Sequence, residues 1–155
     1  MGPQISVVWD DTADRSLPLP AYETAGAAGA DIRANLAAAD RAAGLTLQPM
    51  QRMIVPTGIR VAIPTGYEIQ LRPRSGLAVK FGVTLINTPG TIDSDYRGPL
   101  GVVMINLGAA DYVIRHGDRI AQCVVAPVVQ AAFQAVDNIA QTERGSGGFG
   151  STGAK

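Results

Sequence analysis

The chain is poor in the residues that most often mark a catalytic or metal site. It has one cysteine, Cys123, so no disulfide can form within the chain. It has one histidine, His116. One of each makes neither a structural zinc site nor a zinc-activated water. A lone histidine between Arg115 and Gly117 gives no convincing Ser-His-Asp set either. Excess charge of one sign is also missing, because Lys plus Arg and Asp plus Glu both number 13. No global field therefore points to nucleic acid or an anionic membrane, and any polyanion must be met by locally placed arginines. No apolar run approaches membrane-spanning length. The N-terminal residues lack a basic segment followed by an apolar one. The expectation is a soluble cytoplasmic protein without nucleic-acid or membrane partners.

Aromatic residues are scarce, whereas glycine (18) and proline (10) are plentiful, which favours many short strands and turns over a helical bundle. At 155 residues the chain suits one domain, and an apolar content of 46% is enough for a core. Residues 1–141 read as the folded β domain and 142–155 as its flexible tail.

Ile5 to Trp9 is a short β-rich run, an edge or exchanged strand. Thr24 to Ala34 is almost all Ala and Gly around Asp31 and Ile32, and its glycine spacing argues for close backbone packing. Residues 35–44 read as a surface excursion with a helical turn. From Leu45 onward the β signal is steady. Ile59, Val61 and Ile63 alternate with Arg60 and Ala62, and Tyr67, Ile69 and Leu71 alternate with Glu68 and Gln70. That period of two marks half-buried antiparallel strands. Ser75 to Lys80 suits one or two helical turns capped by Ser75. Further strands are expected at 112–114, 119–128 and 131–136, around a tight His116-Gly117-Asp118 turn with His116 on the surface. Cys123 reads as a buried small hydrophobe within an apolar strand. Strands recurring every eight to twelve residues suggest an all-β jelly roll or distorted barrel.

One stretch organises the rest. Asn87 to Gly98 carries Thr91, Ile92, Asp93, Asp95 and Tyr96 between two apolar runs, with Pro89-Gly90 and Gly98-Pro99 as punctuation. It reads as a long β-hairpin with carboxylates at its tip. Carboxylates at a turn are ordinary, since Asp bonds its own backbone there, so the pattern leaves a catalytic role open. Arg72-Pro73-Arg74-Ser75-Gly76-Leu77-Ala78 ends a strand with two arginines and opens a helix. It suits phosphate, through helix N–H groups, the Arg74 fork and the Ser75 hydroxyl, and equally a solvated strand end. The tail from Arg144 to Gly153 resembles a phosphate-cradling loop, or a polar tail. It is no Walker A loop, because Ala154 stands where Lys belongs. Gln122 is a polar residue in an apolar strand. Asp31 is either a paired structural carboxylate or one that helps hold a hydrated cation.

Five segments, in this order and spacing, resemble the motifs of the homotrimeric dUTP pyrophosphatase (dUTPase) family. They are Ala28 to Ala34, Arg74 to Ala78, Asn87 to Gly98, Gly117 to Gln122 and Arg144 to Gly153. The run Gly90-Thr91-Ile92-Asp93-Ser94-Asp95-Tyr96-Arg97-Gly98 is the most specific of them. The resemblance implies a jelly-roll subunit, a homotrimer with shared active sites, and hydrolysis of dUTP to dUMP and pyrophosphate with Mg²⁺. It implies Asp93 as general base for a water that attacks the α-phosphorus. It places Ser75 at the α–β bridging region and Arg74, Gly76 and Gln122 on phosphate oxygens. It assigns Asn87, Thr91, Ile92 and Gly101 to the uracil-reading hairpin, with Tyr96 under the deoxyribose. Phe149 is to stack on the base, Arg144, Ser151 and Thr152 are to close on the terminal phosphates, and Asp31 is to reach the metal through water. Pro99 departs from the family pattern, which often has a polar residue there, and a local change in the hairpin stem is expected.

Two rivals are weighed. A dCTP deaminase of the same fold needs an acid/base Glu in the pocket, but Glu23, Glu68 and Glu143 all lie outside any matching motif. A non-catalytic nucleotide-binding jelly roll predicts loss of Asp93, Ser75 or the tail, and all are present.

Overall fold

The computed structural model describes residues 2–148. The strands are β1 (Ser6–Trp9), β2 (Ala30–Arg33), β3 (Leu45–Leu47), β4 (Arg52–Pro56), β5 (Ile59–Ala62), β6 (Tyr67–Arg72), β7 (Val83–Leu85), β8 (Gly90–Ile92), β9 (Gly101–Asn106), β10 (Tyr112–Ile114) and β11 (Arg119–Pro127). One helix, α1 (Ser75–Phe81), lies between β6 and β7. The strands form sheets β2-β11-β6-β8 and β4-β9-β7, with the pairs β1-β5 and β3-β10 beside them. The pairings are antiparallel. One apolar core lies between the sheets. Ile32, Ile69, Leu71 and Ala121 supply one side and Val55, Val83, Val102 and Met104 the other. The alternation read from the sequence holds, since Ile59 and Val61 of β5 and Ile69 and Leu71 of β6 are buried. This is the expected all-β, jelly-roll arrangement. Among the described residues no helix is long and apolar enough to cross a membrane.

Cys123 is buried, and burial pushes its thiol up to about 12. It behaves as the small hydrophobe the sequence suggested.

Several expectations need correction. The stretch from Val83 to Asn106 is not one hairpin. Its stem pairs β7 with β9, from Val83 opposite Asn106 to Leu85 opposite Met104. Beyond Ile86 the chain leaves that sheet, and β8 pairs with β6 in the other one. The stem and the tip thus serve different sheets, a change the alternation cannot reveal. Ser75 is not the helix cap. Arg74 takes that position in extended geometry and makes no side-chain cap bond, because its guanidinium has no acceptor atom. Residues 35–44 are not wholly a surface excursion. Asn35 and Leu36 are buried, while Ala37 to Ala39, at a 3-10 turn over Ala38–Asp40, and Ala42 and Ala43 are exposed. Residues 131–136 are not a strand. They are exposed and pair with no strand among the described residues.

His116 is not a surface residue either, with 15% of its side chain exposed. Its Nδ1 accepts the Leu36 N–H at 3.0 Å, and its Nε2 lies 3.1 Å from Asp14 Oδ2. With Nδ1 accepting, the neutral ring carries its proton on Nε2 and donates to Asp14. Asp14 also accepts from the Ser16 hydroxyl and the Ser16 N–H, which with His116 lower its pKa from 3.8 to about 2. That contribution is complete above the ordinary carboxylate range and fades only as pH falls toward about 2. His116→Ala leaves the Leu36 N–H without its acceptor. It should destabilise the fold by about 1–3 kcal/mol, seen as a lower urea midpoint. An unchanged midpoint would mean that the histidine anchors nothing.

Candidate active site

The sheet β2-β11-β6-β8 gathers one half of the site around Asp31. β11 pairs with both β2 and β6, and Gln122 stands opposite Asp31 on one side and Arg72 on the other. The carboxylate of Asp31 is 5% exposed. Its Oδ2 accepts from Arg119 NH1 at 3.0 Å and its Oδ1 from Gln122 Nε2 at 3.2 Å. The Arg74 Nε approaches Oδ1 at 3.5 Å, and Arg74 NH1 donates to the Arg119 carbonyl at 3.1 Å. Asp31 is thus paired within the chain with two guanidiniums and one amide. The chain packs tightly here. A Cβ on Gly29 would stand 3.0 Å from Gln122 Cβ, so glycine lets the Ala/Gly segment lie against β11. Ser75 and Gly76 are exposed beside this cluster at the start of α1. A Cβ at Gly76 would meet nothing within 4 Å, so the opening of the helix is free to approach an anion.

The other half is the tip of the crossing segment. Gly90 is buried opposite Leu71, with the Asn87 amide close over it, and a Cβ at Gly90 would come within 2.9 Å of Asn87 Nδ2. Thr91 lies opposite Gln70 and Ile92 opposite Ile69. Asp93 is exposed, and its carbonyl accepts the Tyr96 N–H at 3.2 Å, closing the turn. Tyr96 folds back over Gly98 and donates its hydroxyl to the Pro99 carbonyl at 3.0 Å. Any side chain at Gly98 would run into that ring. Pro99 is accommodated because β9 begins two residues later, at Gly101, and needs no N–H from it. Gly101 lies opposite Pro56, with the Ile54 methyl where a Cβ would be. Asp93 and Thr91 line an open cleft of about 660 Å³ together with Tyr67, Glu68 and Gln130.

These halves do not meet within one chain. β8 runs antiparallel to β6, from Gly90 at Leu71 to Ile92 at Ile69. Asp93 therefore lies level with Glu68, whereas Arg74 and Ser75 follow the far end of the same strand. At about 3.3 Å per residue, six residues separate them by roughly 20 Å. Arg144 is exposed and, among the described residues, its side chain donates within its own turn, to the Gly147 carbonyl at 3.0 Å. The tail positions Phe149, Ser151 and Thr152 lie outside the described residues. Two residues that the sequence did not single out join the cluster around Asp31: Arg119, which donates to it, and Glu23, 3.4 Å from Arg119. Arg119 was legible as part of the fourth segment, but its partner was not.

A family model for dUTPase matches residues 15–153. The chain belongs to the dUTPase family. It is 63% identical to a deoxyuridine 5'-triphosphate nucleotidohydrolase of Roseobacter denitrificans, over 96% of this chain and 95% of the relative. A nucleotidohydrolase of the same name from Desulfotalea psychrophila is 53% identical over 99% of both chains. Among solved structures, a Staphylococcus bacteriophage 80alpha dUTPase mutant with dUpNHpp superposes with a TM-score of 0.80 at 25% identity, covering 97% of this chain and 98% of that one. The dUTPase match runs through both halves of the site and through the tail.

The metal implied by the dUTPase family can be tested against the donors present. Among the described residues no group of three or more His, Cys, Asp or Glu could hold a metal ion. Mg²⁺ keeps several waters and binds chiefly through substrate phosphates. That mode asks for little from the protein, and the donor set fits it. A carboxylate beside a phosphate-facing arginine can accept from a metal-bound water through a remaining lone pair.

Proposed function

We propose that the chain hydrolyses dUTP to dUMP and pyrophosphate in sites that it completes only as a homotrimer. The observation that carries this reading is the split site: Asp93 and the Arg74–Ser75 cluster stand at opposite ends of β6. A second copy can bring its Asp93 tip to the first copy's Arg74 cluster. The segment after β11 supports association. Val129, Phe133, Val136 and Ile139 are 60–99% exposed, an apolar arm that isolated chains do not normally leave in water. A third copy's tail would then supply Arg144, Phe149, Ser151 and Thr152.

The chemistry follows from the groups present. A triphosphate is a dense anion, and its hydrolysis depends mostly on positioning and charge neutralisation. Arg74 and Gln122 hold phosphate oxygens, Gly76 lets the backbone come close, and Ser75 offers its hydroxyl at the α–β bridge. Asp93 accepts the proton of the attacking water, which adds to the α-phosphorus as the bond to the bridging oxygen breaks and pyrophosphate departs. Asp31 would hold Mg²⁺ through a bound water, and the ion would supply charge neutralisation at the phosphates. Asn87, Thr91, Ile92 and the Gly101 backbone form the narrow reader for uracil. A hydrogen-bonding reader rejects cytosine because it would leave buried polar groups unpaired. Tyr96, fixed by Pro99, packs under the deoxyribose and leaves no room for a 2′-hydroxyl. Phe149 stacks on the base.

The test is a panel of dUTP, dTTP, dCTP and UTP with Mg²⁺, following pyrophosphate and ammonia separately. Pyrophosphate from dUTP alone is expected. Ammonia from dCTP would replace the reading with a deaminase, and silence on all four would leave a binding protein.

A further inference from the structure

Arg119 occupies an unusual place. Its NH1 lies 3.0 Å from Asp31 Oδ2 and 3.4 Å from Glu23 Oε1. Its backbone carbonyl accepts Arg74 NH1. The register of β11 against β2 shifts between Arg119 and Ala121. That irregularity leaves Ile120 without a partner on β2, next to the carbonyl that Arg74 reaches. Arg74 is thus held at two points, by Asp31 at Nε and by Arg119 at NH1. A guanidinium has five N–H donors, so those on NH2 and the second on NH1 remain to meet an anion.

The charge balance gives Arg119 its role. A buried carboxylate must be compensated, and removing its partner is strongly unfavourable. Asp31 has two guanidiniums within 3.5 Å, and the Arg119 contact is the shorter. Glu23 is 54% exposed, so water screens it. One carboxylate between two guanidiniums leaves net positive charge at the cluster. Without Arg119, Arg74 would be the one remaining cation beside Asp31, with only the neutral Gln122 amide to help it, and its outward donors would turn inward.

We propose that Arg119 is a positioning residue for nucleotide binding: it compensates Asp31 so that Arg74 keeps its outward donors for the phosphates. This rests on the reading of Arg74 as a phosphate ligand. The test measures binding of the non-hydrolysable α,β-imido analogue of dUTP to the full chain in EDTA, which removes metal effects. Arg119→Gln should weaken binding at least about tenfold, the scale of one charge-assisted hydrogen bond. Arg119→Lys restores the cation beside Asp31 and should bind within about threefold of the parent. Asp31→Asn/Arg119→Gln, which removes the carboxylate that recaptures Arg74, should recover most of the loss. A purely structural role would not be rescued by this second substitution. Should Arg119→Gln fail to fold, Asp31→Asn/Arg119→Gln is compared with Asp31→Asn alone, and a tenfold difference there would overturn the proposal. Arg74→Ala is the control on the underlying reading. Parental affinity in Arg119→Gln with weak binding in Arg74→Ala would sink the role of Arg119 alone. Parental affinity in Arg74→Ala would remove Arg74 from the phosphates.

Discussion

Asp93→Asn should lower kcat for dUTP by about 10²- to 10⁴-fold, the range expected when a general base is lost. Stability and nucleotide affinity should stay close to those of the parent. The structure makes the substitution clean. The Asp93 side chain is exposed and has no hydrogen-bond or ion-pair partner among the described residues. The local turn is closed by its carbonyl, which accepts the Tyr96 N–H and survives the change. Asn keeps the size of the side chain while removing its negative charge and its ability to take a proton. Substitutions at such surface positions usually change stability by no more than about 0.5 kcal/mol. A folded Asp93→Asn protein that binds dUTP and turns it over at the parental rate would move the base elsewhere on the tip. A protein that binds dUTP poorly would show Asp93 acting on the ground state as well.

The strands of this fold were legible because their alternation is regular. β5 and β6 bury every second residue, and glycine or proline turns separate them, so period and punctuation agree. The same signal could not show which strands pair. β7 and β8 are close in sequence and look like one arm of a hairpin, yet they hydrogen-bond in different sheets. Strand pairing is a property of tertiary packing, and both sheets present apolar residues that satisfy the same local pattern. His116 failed for a related reason. Its turn was correctly read, but its two ring partners, Leu36 and Asp14, are 80 and 102 residues away in sequence. Segment 131–136 has the composition of a strand and lacks a partner edge, so the composition was read correctly and the state of the isolated chain was not.

For the proposed site, residue types and order pointed to Asp31, Arg74, Gln122 and Asp93 only through the resemblance of five segments to a family. They were not enough to assign what Asp31 does within the chain. Its partners come from β11, as Arg119 and Gln122, and from Arg74 just beyond β6, so they meet only once these strands are paired. The separation of Asp93 from Arg74 along β6 was equally invisible, because it follows from the direction of β8. That separation is why the geometry, more than any motif, argues for a site shared between copies.

A chain ended after Glu143 should keep its assembly and its fold but lose turnover by about 10²-fold or more, the scale on which mispositioning and incomplete closure act. The start of the tail bonds only to itself. Gly145 N–H donates to Thr142 O, Gly147 N–H to Arg144 O, and Arg144 Nε to Gly147 O. Among the described residues the cut therefore removes no core contact, and the apolar arm up to Ile139 stays in place for association. What disappears is a set of donors, Arg144, Ser151 and Thr152, and one aromatic, Phe149. In the proposed mechanism these close over the phosphates and base and exclude water, so kcat should fall and KM should rise together. Mass in solution and the urea midpoint should match those of the full chain. Parental kinetics in the shortened protein would take the tail out of the mechanism and leave the Arg74 cluster and the Asp93 tip to hold the triphosphate alone. A fall in mass would instead show that the tail, and not the arm before it, joins the subunits.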